Sequence, residues 1–511
     1  MQRKIPATMI SQHPDHAGKP YWHNKEFIST RHETQEAFLS FSDLGVSEYK
    51  WDWEGKYVDE SVIERLLSEH FDYFKENPLG KEKFLTFRLP NPKVETEFRL
   101  GRAFMGLLGA AGLAKEVGMH TPPLFEVILP MTETAEEMIA VQEAFREIAG
   151  LKHNLYSFNN GILEHIELIP LFEEVSIIMN IDEILKEYVQ LHKEKFGYIP
   201  PYIRPYLARS DPALNAGIIP TVLAIKVALS RFKTFEKKTG IQLYPLIGSA
   251  SLPFRGELTP HTIEQFTDEY QGIRTALLQS AFRYDYPKEE VIDAIQKLED
   301  ALPQGIATSM APEEEQEIRE LIPYFEEPYK HTIEQLAPLI NEVASQLPKR
   351  RERVQHIGLF GYSRGVGKVK LPRAIGFTAA MYSLGIPPEL VGTGRGLKYA
   401  MKNPSTSSGQ VKKIEVIEEY YKNIKHDLLR AGRFVNKELI QERAKHEPVW
   451  NEILQDIKAI EDYLGIELQP ESAEEVEHQT LTHHLHNSLA DNGKITPEEL
   501  TQLALLRKSL G

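Results

Sequence analysis

A closed parallel (β/α)8, TIM-like barrel with many additional helices is the fold this sequence predicts, and three observations predict it. Short apolar runs recur along the chain, longer segments with helical spacing separate most of them, and the alternation repeats about eight times. An open doubly wound sheet is the structural competitor.

The elements follow in order. YKWDW near residue 50, FLTFRLP from Phe84, FEVILPM from Phe125 and IELIPLFE from Ile166 read as strands. β-Branched and large apolar side chains suit a sheet covered on both faces. YIRPYLARS from Tyr202, LYPLIGSAS from Leu243, IGLFGYSR from Ile357 and ELVGTG from Glu389 continue the series. AEEMIAVQEAFREIA and HTIEQFTDEYQGIRTALLQSAF are helical stretches between them. Residues 258–345 and 412–465 read as insertions beyond a minimal barrel. Residues 1–465 are expected to form a single catalytic barrel domain with helical insertions, and 466–511 a C-terminal helical extension.

Composition bounds the function. The 511 residues are 41% hydrophobic and 26% charged, the balance of a soluble globular protein with ample core. There is no cysteine, which excludes disulfides, thiolate metal sites and cysteine nucleophiles. A formal net charge of −15 argues against nucleic-acid and anionic-membrane partners, which want a positive face. The opening MQRKIPATMISQHPDH has no apolar leader core, and no later run is long enough to span a bilayer. A cytoplasmic protein is the simplest expectation.

Charge gathers at the strand ends. Arg88 closes FLTFR, and the apolar run LIPLFEE stops on Glu173 and Glu174. Arg209, Ser210 and Asp211 close YLARSD, Arg255 follows LIGSASLPF, and Arg364 closes LFGYSR. In a barrel, all carboxyl ends of the strands meet at one face, where active sites sit. Any one such charge is ordinarily a solvated loop residue; the recurrence of two chemical types at successive strand ends is harder to dismiss. Glu173 and Asp211 are hard oxygen ligands suited to Mg²⁺ or Mn²⁺, with ion pairing to nearby arginines as the plain alternative. Guanidinium groups make bidentate bonds to phosphate and carboxylate. Because the whole chain is acidic, attraction of an anion must be local. Cation and arginines together point to a small, highly charged phosphorylated acid.

Several motifs resemble one family. QHPD at Gln12 to Asp15, PLFEE from Pro170, ARSDPALNAG from Ala208, SLPFRG from Ser251, and GYSR with LPRAI from Gly361 resemble phosphoenolpyruvate carboxylase, in its short, archaeal-type branch. The resemblance runs from the N-terminus to about residue 465. It implies a metal-dependent homotetrameric barrel enzyme that adds bicarbonate to phosphoenolpyruvate, giving oxaloacetate and phosphate. By the same resemblance, His13 lies near the reacting carboxyl group, and Glu173 and Asp211 hold Mg²⁺ or Mn²⁺. Arg255 is the last arginine of a catalytic loop, Arg364 and Arg373 flank a variable loop, and Arg88 follows an early barrel strand. His13, Arg255 and Arg364 are the expected catalytic groups; Arg88, Arg255, Arg364 and Arg373 are expected to bind substrate. Two departures from the longer branch stand out. The loop IGSASLP lacks an earlier histidine and arginine, and Leu214 replaces a lysine after the metal aspartate. The implied chemistry passes through carboxyphosphate and the pyruvate enolate, with SRGVGKVKL, Ser363 to Leu371, as an expected lid.

Other signals read plainly. GYSRGVGKVK departs from a phosphate loop at Tyr362 and Val369. ADNGKITPEE puts Ser488 and Ala490 where a calcium loop needs acids, while Thr496, Pro497 and Glu499 form a capping box. The histidines at 478, 483, 484 and 486 are expected to be solvated on an acidic helical tail, and most of His16, His23 and His32 to be ordinary loop residues. NPSTSSGQV, Asn403 to Val411, reads as a surface loop. Two rival functions share these features: another metal-dependent barrel enzyme acting on phosphoenolpyruvate or pyruvate enolate, such as a phosphotransferase or oxoacid lyase, and a non-catalytic helical scaffold.

Overall fold

A computed structural model describes residues 4–53, 56, 58–95, 98–119, 121–153, 156–157, 163–352, 365–366, 369–405, 412–490 and 495–511. Eight parallel strands form a closed ring: β1 (Thr8–Ser11), β2 (Glu48–Asp52), β3 (Phe84–Arg88), β4 (Glu126–Leu129), β5 (Glu167–Phe172), β6 (Tyr206–Ala208), β7 (Leu246–Gly248) and β8 (Thr275–Leu278). Each strand pairs with its neighbour in sequence, and β1 closes the ring by pairing with β8, Met9 opposite Leu277, as well as with β2, Met9 opposite Glu48. The predicted helix-rich barrel is the observed one.

Two staves differ from the expected set. β1 lies in the opening TMIS, and β8 lies inside the stretch read as helical. TMIS holds only two apolar residues between polar ones, and TALL continues the helix-spaced apolar pattern of the segment around it, so neither stands out as a strand. Residues 258–345 are therefore not all insertion. ELVGTG is not a strand: it turns into a helix that starts at Thr393. Its Leu390 and Val391 are apolar because they are buried against helices rather than within a sheet. Gly392, at φ 74°, lies so close to Tyr329 that a Cβ there would sit 2.6 Å from the Tyr329 amide nitrogen. IGLFGYSR, from Ile357, lies outside the described residues.

Inside the ring, Met9, Ile128, Ile169, Leu171, Tyr206 and Leu277 pack into a small apolar core. At its amino end a polar plug replaces that core. Arg204 donates to Glu48 Oε2 at 2.7 Å and Glu126 Oε2 at 2.7 Å, with all three side chains buried. This fixes the closed end of the barrel and leaves chemistry to the other.

Helices α1 (Glu33–Ser42), α2 (Val62–Glu76), α3 (Arg99–Glu116), α4 (Ala135–Ala149), α5 (Ile181–Phe196), α6 (Ile218–Thr239) and α7 (Lys288–Ala301) accompany the strands. The 34-residue α8 (Pro312–Ser345) is about 50 Å long at the usual helical rise and ends at the barrel mouth. Beyond it come α9 (Ala374–Ser383), α10 (Thr393–Lys402), α11 (Pro448–Leu464), α12 (Ala473–Ala490) and α13 (Pro497–Leu506). α13 opens on the expected capping box, Thr496 N–H donating to Glu499 Oε2 at 2.8 Å.

The histidine tail is not solvated throughout. His478 and His486 are fully buried, His478 Nε2 lying 3.3 Å from Arg507 Nη1 and His486 Nε2 3.1 Å from the Leu384 carbonyl. They lie on the inward face of α12, whereas His484 is exposed. Of the histidines near His13 in sequence, His16 is the buried one, with Nδ1 2.8 Å from Ser280 Oγ and Nε2 2.8 Å from the Glu26 carbonyl. In the expected surface loop, Ser405 is buried and donates to Glu317 at 2.5 Å; residues 406–411 lie outside the described set.

Candidate active site

A cavity of about 840 Å³ opens at the carboxyl ends of the strands. His13 follows β1, Arg88 ends β3, Glu173 follows β5, Asp211 stands three residues past β6, and Arg255 lies on the turn after β7. Arg373, at the N-cap of α9, completes the expected residues that line it. The end of α8, the segment behind it and Leu510 add the remaining wall. Arg364 lies outside the described residues, as do Ser363 and residues 367–368 of the expected lid. Of that segment, Gly365–Val366 pairs antiparallel with Val369–Lys370.

His13 is placed to accept a proton. Its Nδ1 lies 2.9 Å from Ser11 Oγ. Burial, and then the charge of Lys50, hold its pKa well below the ordinary value, with Asp52 acting the other way. The ring is therefore neutral near pH 7.

Glu173 is buried at the end of an apolar strand, and Asp211 sits in the first turn of the short helix Ser210–Ala216, where the amino end of a helix favours a carboxylate. Both charges reach the Tyr206 hydroxyl and push its pKa upward, though less than burial does. Both carboxylates line the cavity, and oxygen donors of this kind are the chemistry that a hard divalent cation takes. Another group of candidate ligands, Glu257, His426 and Asp427, has its ligand atoms within 4.8 Å of one another but lies outside the cavity wall. It is already engaged: His426 pairs with Glu257 at 3.2 Å and the Tyr421 hydroxyl donates to Asp427.

Arg255 is fully buried. Its Nε donates to Ser210 Oγ at 3.0 Å, Nη2 to Gln279 Oε1 at 2.6 Å, and Nη1 to Asp15 Oδ2 at 3.4 Å and to the Gly511 carbonyl. Burial raises the Asp15 carboxyl, and Arg255 offsets part of that rise.

Among the described lining residues, eight lysines and arginines face three acids, Asp52, Glu173 and Asp211. Some of these cations have structural partners. Arg351 bonds Glu33 and Glu36, and Arg350 donates to the His16 and Ala17 carbonyls. Arg209 differs from the expectation: although it closes a barrel strand, its guanidinium bonds backbone carbonyls of the turn that carries Arg255. The local excess of positive charge is the kind of attraction that an acidic chain needs for an anionic reactant.

Sequence reasoning passed over Lys50, Asp52 and Gln279. Lys50 is 1% exposed, and both it and Arg88 approach Asp52 Oδ2 at 3.3 Å. A signal was present: in YKWDW the two charges stand two residues apart, on one face of a strand, between aromatics. Gln279 was missed because its strand was missed.

Comparison with known proteins adds the last observation. A family model described as phosphoenolpyruvate carboxylase matches residues 5–511. Similar curated proteins carry that name. One from Leuconostoc mesenteroides is 39% identical over 478 residues, covering 93% of each chain. One from Oenococcus oeni is 38% identical over 489 residues, covering 95% of each. One from Metallosphaera sedula is 37% identical over 533 residues, covering both chains fully.

Proposed function

Since the chain belongs to the phosphoenolpyruvate carboxylase family, its activity is the carboxylation of phosphoenolpyruvate, and we propose how the cavity performs it. One observation carries the reading: six expected residues, spread from His13 to Arg373, line a single cation-rich cavity.

Phosphoenolpyruvate and bicarbonate are the reactants; oxaloacetate and phosphate are the products. Glu173 and Asp211 hold Mg²⁺ or Mn²⁺, and such an ion, when bound, supplies Lewis-acid stabilisation of negative charge on reactant oxygens. Arg88 and Arg373, with Arg364 by sequence, bind the anionic substrate through guanidinium forks. A bicarbonate oxygen attacks phosphorus, forming carboxyphosphate and leaving the pyruvate enolate. Arg255 offsets charge on the transferring phosphoryl group, an electrostatic contribution that needs no motion of the donor. Neutral His13 then takes the proton of carboxyphosphate, so that carbon dioxide is released beside the enolate that captures it. Wall residues from α8 onward exclude water from both short-lived species.

The same family resemblance supports a homotetramer at work in the cytoplasm, in anaplerotic carbon fixation. Among the described residues, no helix is long and apolar enough to cross a membrane.

The deciding experiment is a coupled assay with phosphoenolpyruvate, bicarbonate and Mg²⁺, without nucleotide. Oxaloacetate and phosphate should form together and stop when the cation is chelated. Turnover of phosphoenolpyruvate that ignores bicarbonate would favour the phosphotransferase or lyase reading instead.

A further inference from the structure

The turn Pro253–Arg255 delivers Arg255 to the cavity, and it is gripped on both of its backbone faces. On the carbonyl side stands Arg209, fully buried, whose Nη1 donates to the Phe254 carbonyl at 2.9 Å and Nη2 to the Pro253 carbonyl at 3.2 Å. Its Nε donates to the Tyr270 hydroxyl at 2.9 Å, so every guanidinium nitrogen is spoken for. On the amide side stands Glu389, whose Oε1 accepts from the Phe254 N–H at 2.6 Å and from the Tyr382 hydroxyl at 2.7 Å. Its Oε2 is buried without a hydrogen-bond partner. Tyr382 lies on α9, the helix whose N-cap is Arg373, so the grip ties the turn to another cavity element.

The turn has little freedom of its own. Gly256 follows at φ 110°, and a Cβ there would come within 2.7 Å of Ser249 Oγ and 3.3 Å of Arg209 Cγ. Burying a guanidinium against neutral carbonyls is costly where an apolar side chain would fill the space. The planar fork does something that no apolar residue can: it bonds two successive carbonyls at once and fixes their direction.

We propose that Arg209 and Glu389 are positioning residues for Arg255, clamping its turn from the carbonyl and amide sides so that its guanidinium meets the transferring phosphoryl group in one orientation. The inference rests on the carboxylase reading for the identity of that group. It also gives ELVGTG a role, since Glu389 opens that run.

Three variants test it. Arg209→Lys keeps the charge but supplies a single nitrogen that cannot bond both carbonyls. Glu389→Ala removes the amide-side acceptor. Glu389→Gln keeps an oxygen for the Phe254 N–H and the Tyr382 hydroxyl; because burial pushes the Glu389 carboxyl up to about 7, a neutral amide is a close substitute. The clamp predicts that Arg209→Lys and Glu389→Ala each lower kcat about tenfold or more, with a smaller change in KM for phosphoenolpyruvate. Glu389→Gln should stay within about threefold of the parent. In a cycle with Arg255→Lys, the Arg209→Lys/Arg255→Lys pair should be no slower than Arg255→Lys alone, because a misplaced group cannot be lost twice. Multiplying losses, or Arg209→Lys losses that disappear when rates are expressed per folded molecule, overturn the proposal. Calorimetric binding of phosphoglycolate, a phosphorylated carboxylate, provides a readout free of turnover. Arg209→Lys should weaken it in the parent background but not in Arg255→Lys, and equal weakening in both backgrounds overturns the clamp. A parent that binds phosphoglycolate yet makes no oxaloacetate counts against the carboxylase reading and leaves the clamp to that binding cycle.

Discussion

Ser11 Oγ lies 2.9 Å from His13 Nδ1, with the Leu278 carbonyl 3.5 Å behind the hydroxyl. Donating its O–H to that carbonyl lets Ser11 accept a hydrogen bond from Nδ1–H, which leaves Nε2 as the basic nitrogen. His13→Asn should therefore block oxaloacetate formation while phosphate release from phosphoenolpyruvate continues. Ser11→Ala, which loses one orienting hydrogen bond of about 1 kcal/mol, should slow carboxylation roughly fivefold. Parallel assays of oxaloacetate and phosphate separate the two effects; equal yields from His13→Asn would remove His13 from the carboxylation step.

Glu173→Gln and Asp211→Asn each take one anionic oxygen from the proposed cation site. Each should lower Mg²⁺-dependent kcat/KM by about a hundredfold or more. Mn²⁺ titration followed by paramagnetic resonance should show weaker binding in both, with unchanged far-ultraviolet circular dichroism. Parental Mn²⁺ affinity in both variants would place the cation elsewhere.

Lys50 depresses the His13 pKa through its charge, second only to burial. The proposed mechanism needs neutral His13, which puts the acid limb of the kcat/KM profile where that ring gains its proton. Removing the charge in Lys50→Met should raise the His13 pKa and shift the limb to higher pH, while Lys50→Arg should bring it back. A limb that stays put in Lys50→Met would show that Lys50 does not govern the base.

The Arg204 plug gives the opposite signature. Arg204→Met leaves Glu48 and Glu126 buried without their shared cation, which should cost about 3–5 kcal/mol. The midpoint of urea unfolding should drop sharply, yet kcat per folded molecule should hold, because the plug sits at the amino end of the strands. A loss of kcat without a loss of stability would contradict that division of labour.

Much of this arrangement was legible in the sequence, and physical chemistry explains the parts that were not. Glu173 was readable because an apolar strand that ends in acid is costly without a counter-charge. Arg88 and Arg255 were readable for similar reasons at their own strand ends. β1 and β8 were not, because TMIS offers only two apolar residues and TALL sits inside an apolar pattern with helical spacing. Arg209 was legible as a strand-end cation, but not in direction: one bond rotation separates a guanidinium aimed at substrate from one aimed at a backbone. His478 and His486 could be placed on a helix, but no single-chain periodicity tells which side of that helix another helix will cover. Arg364 rests on its motif alone.

The ring of strands is finished at Leu278, whereas wall residues such as Leu347, Arg373 and Leu510 come later in the chain. During synthesis, His13, Glu173 and Asp211 therefore leave the ribosome well before the residues that complete the cavity wall. A nascent chain halted between those points carries the strand-end residues without the later wall. Translation order alone thus puts the completion of the cavity in the second half of the polypeptide.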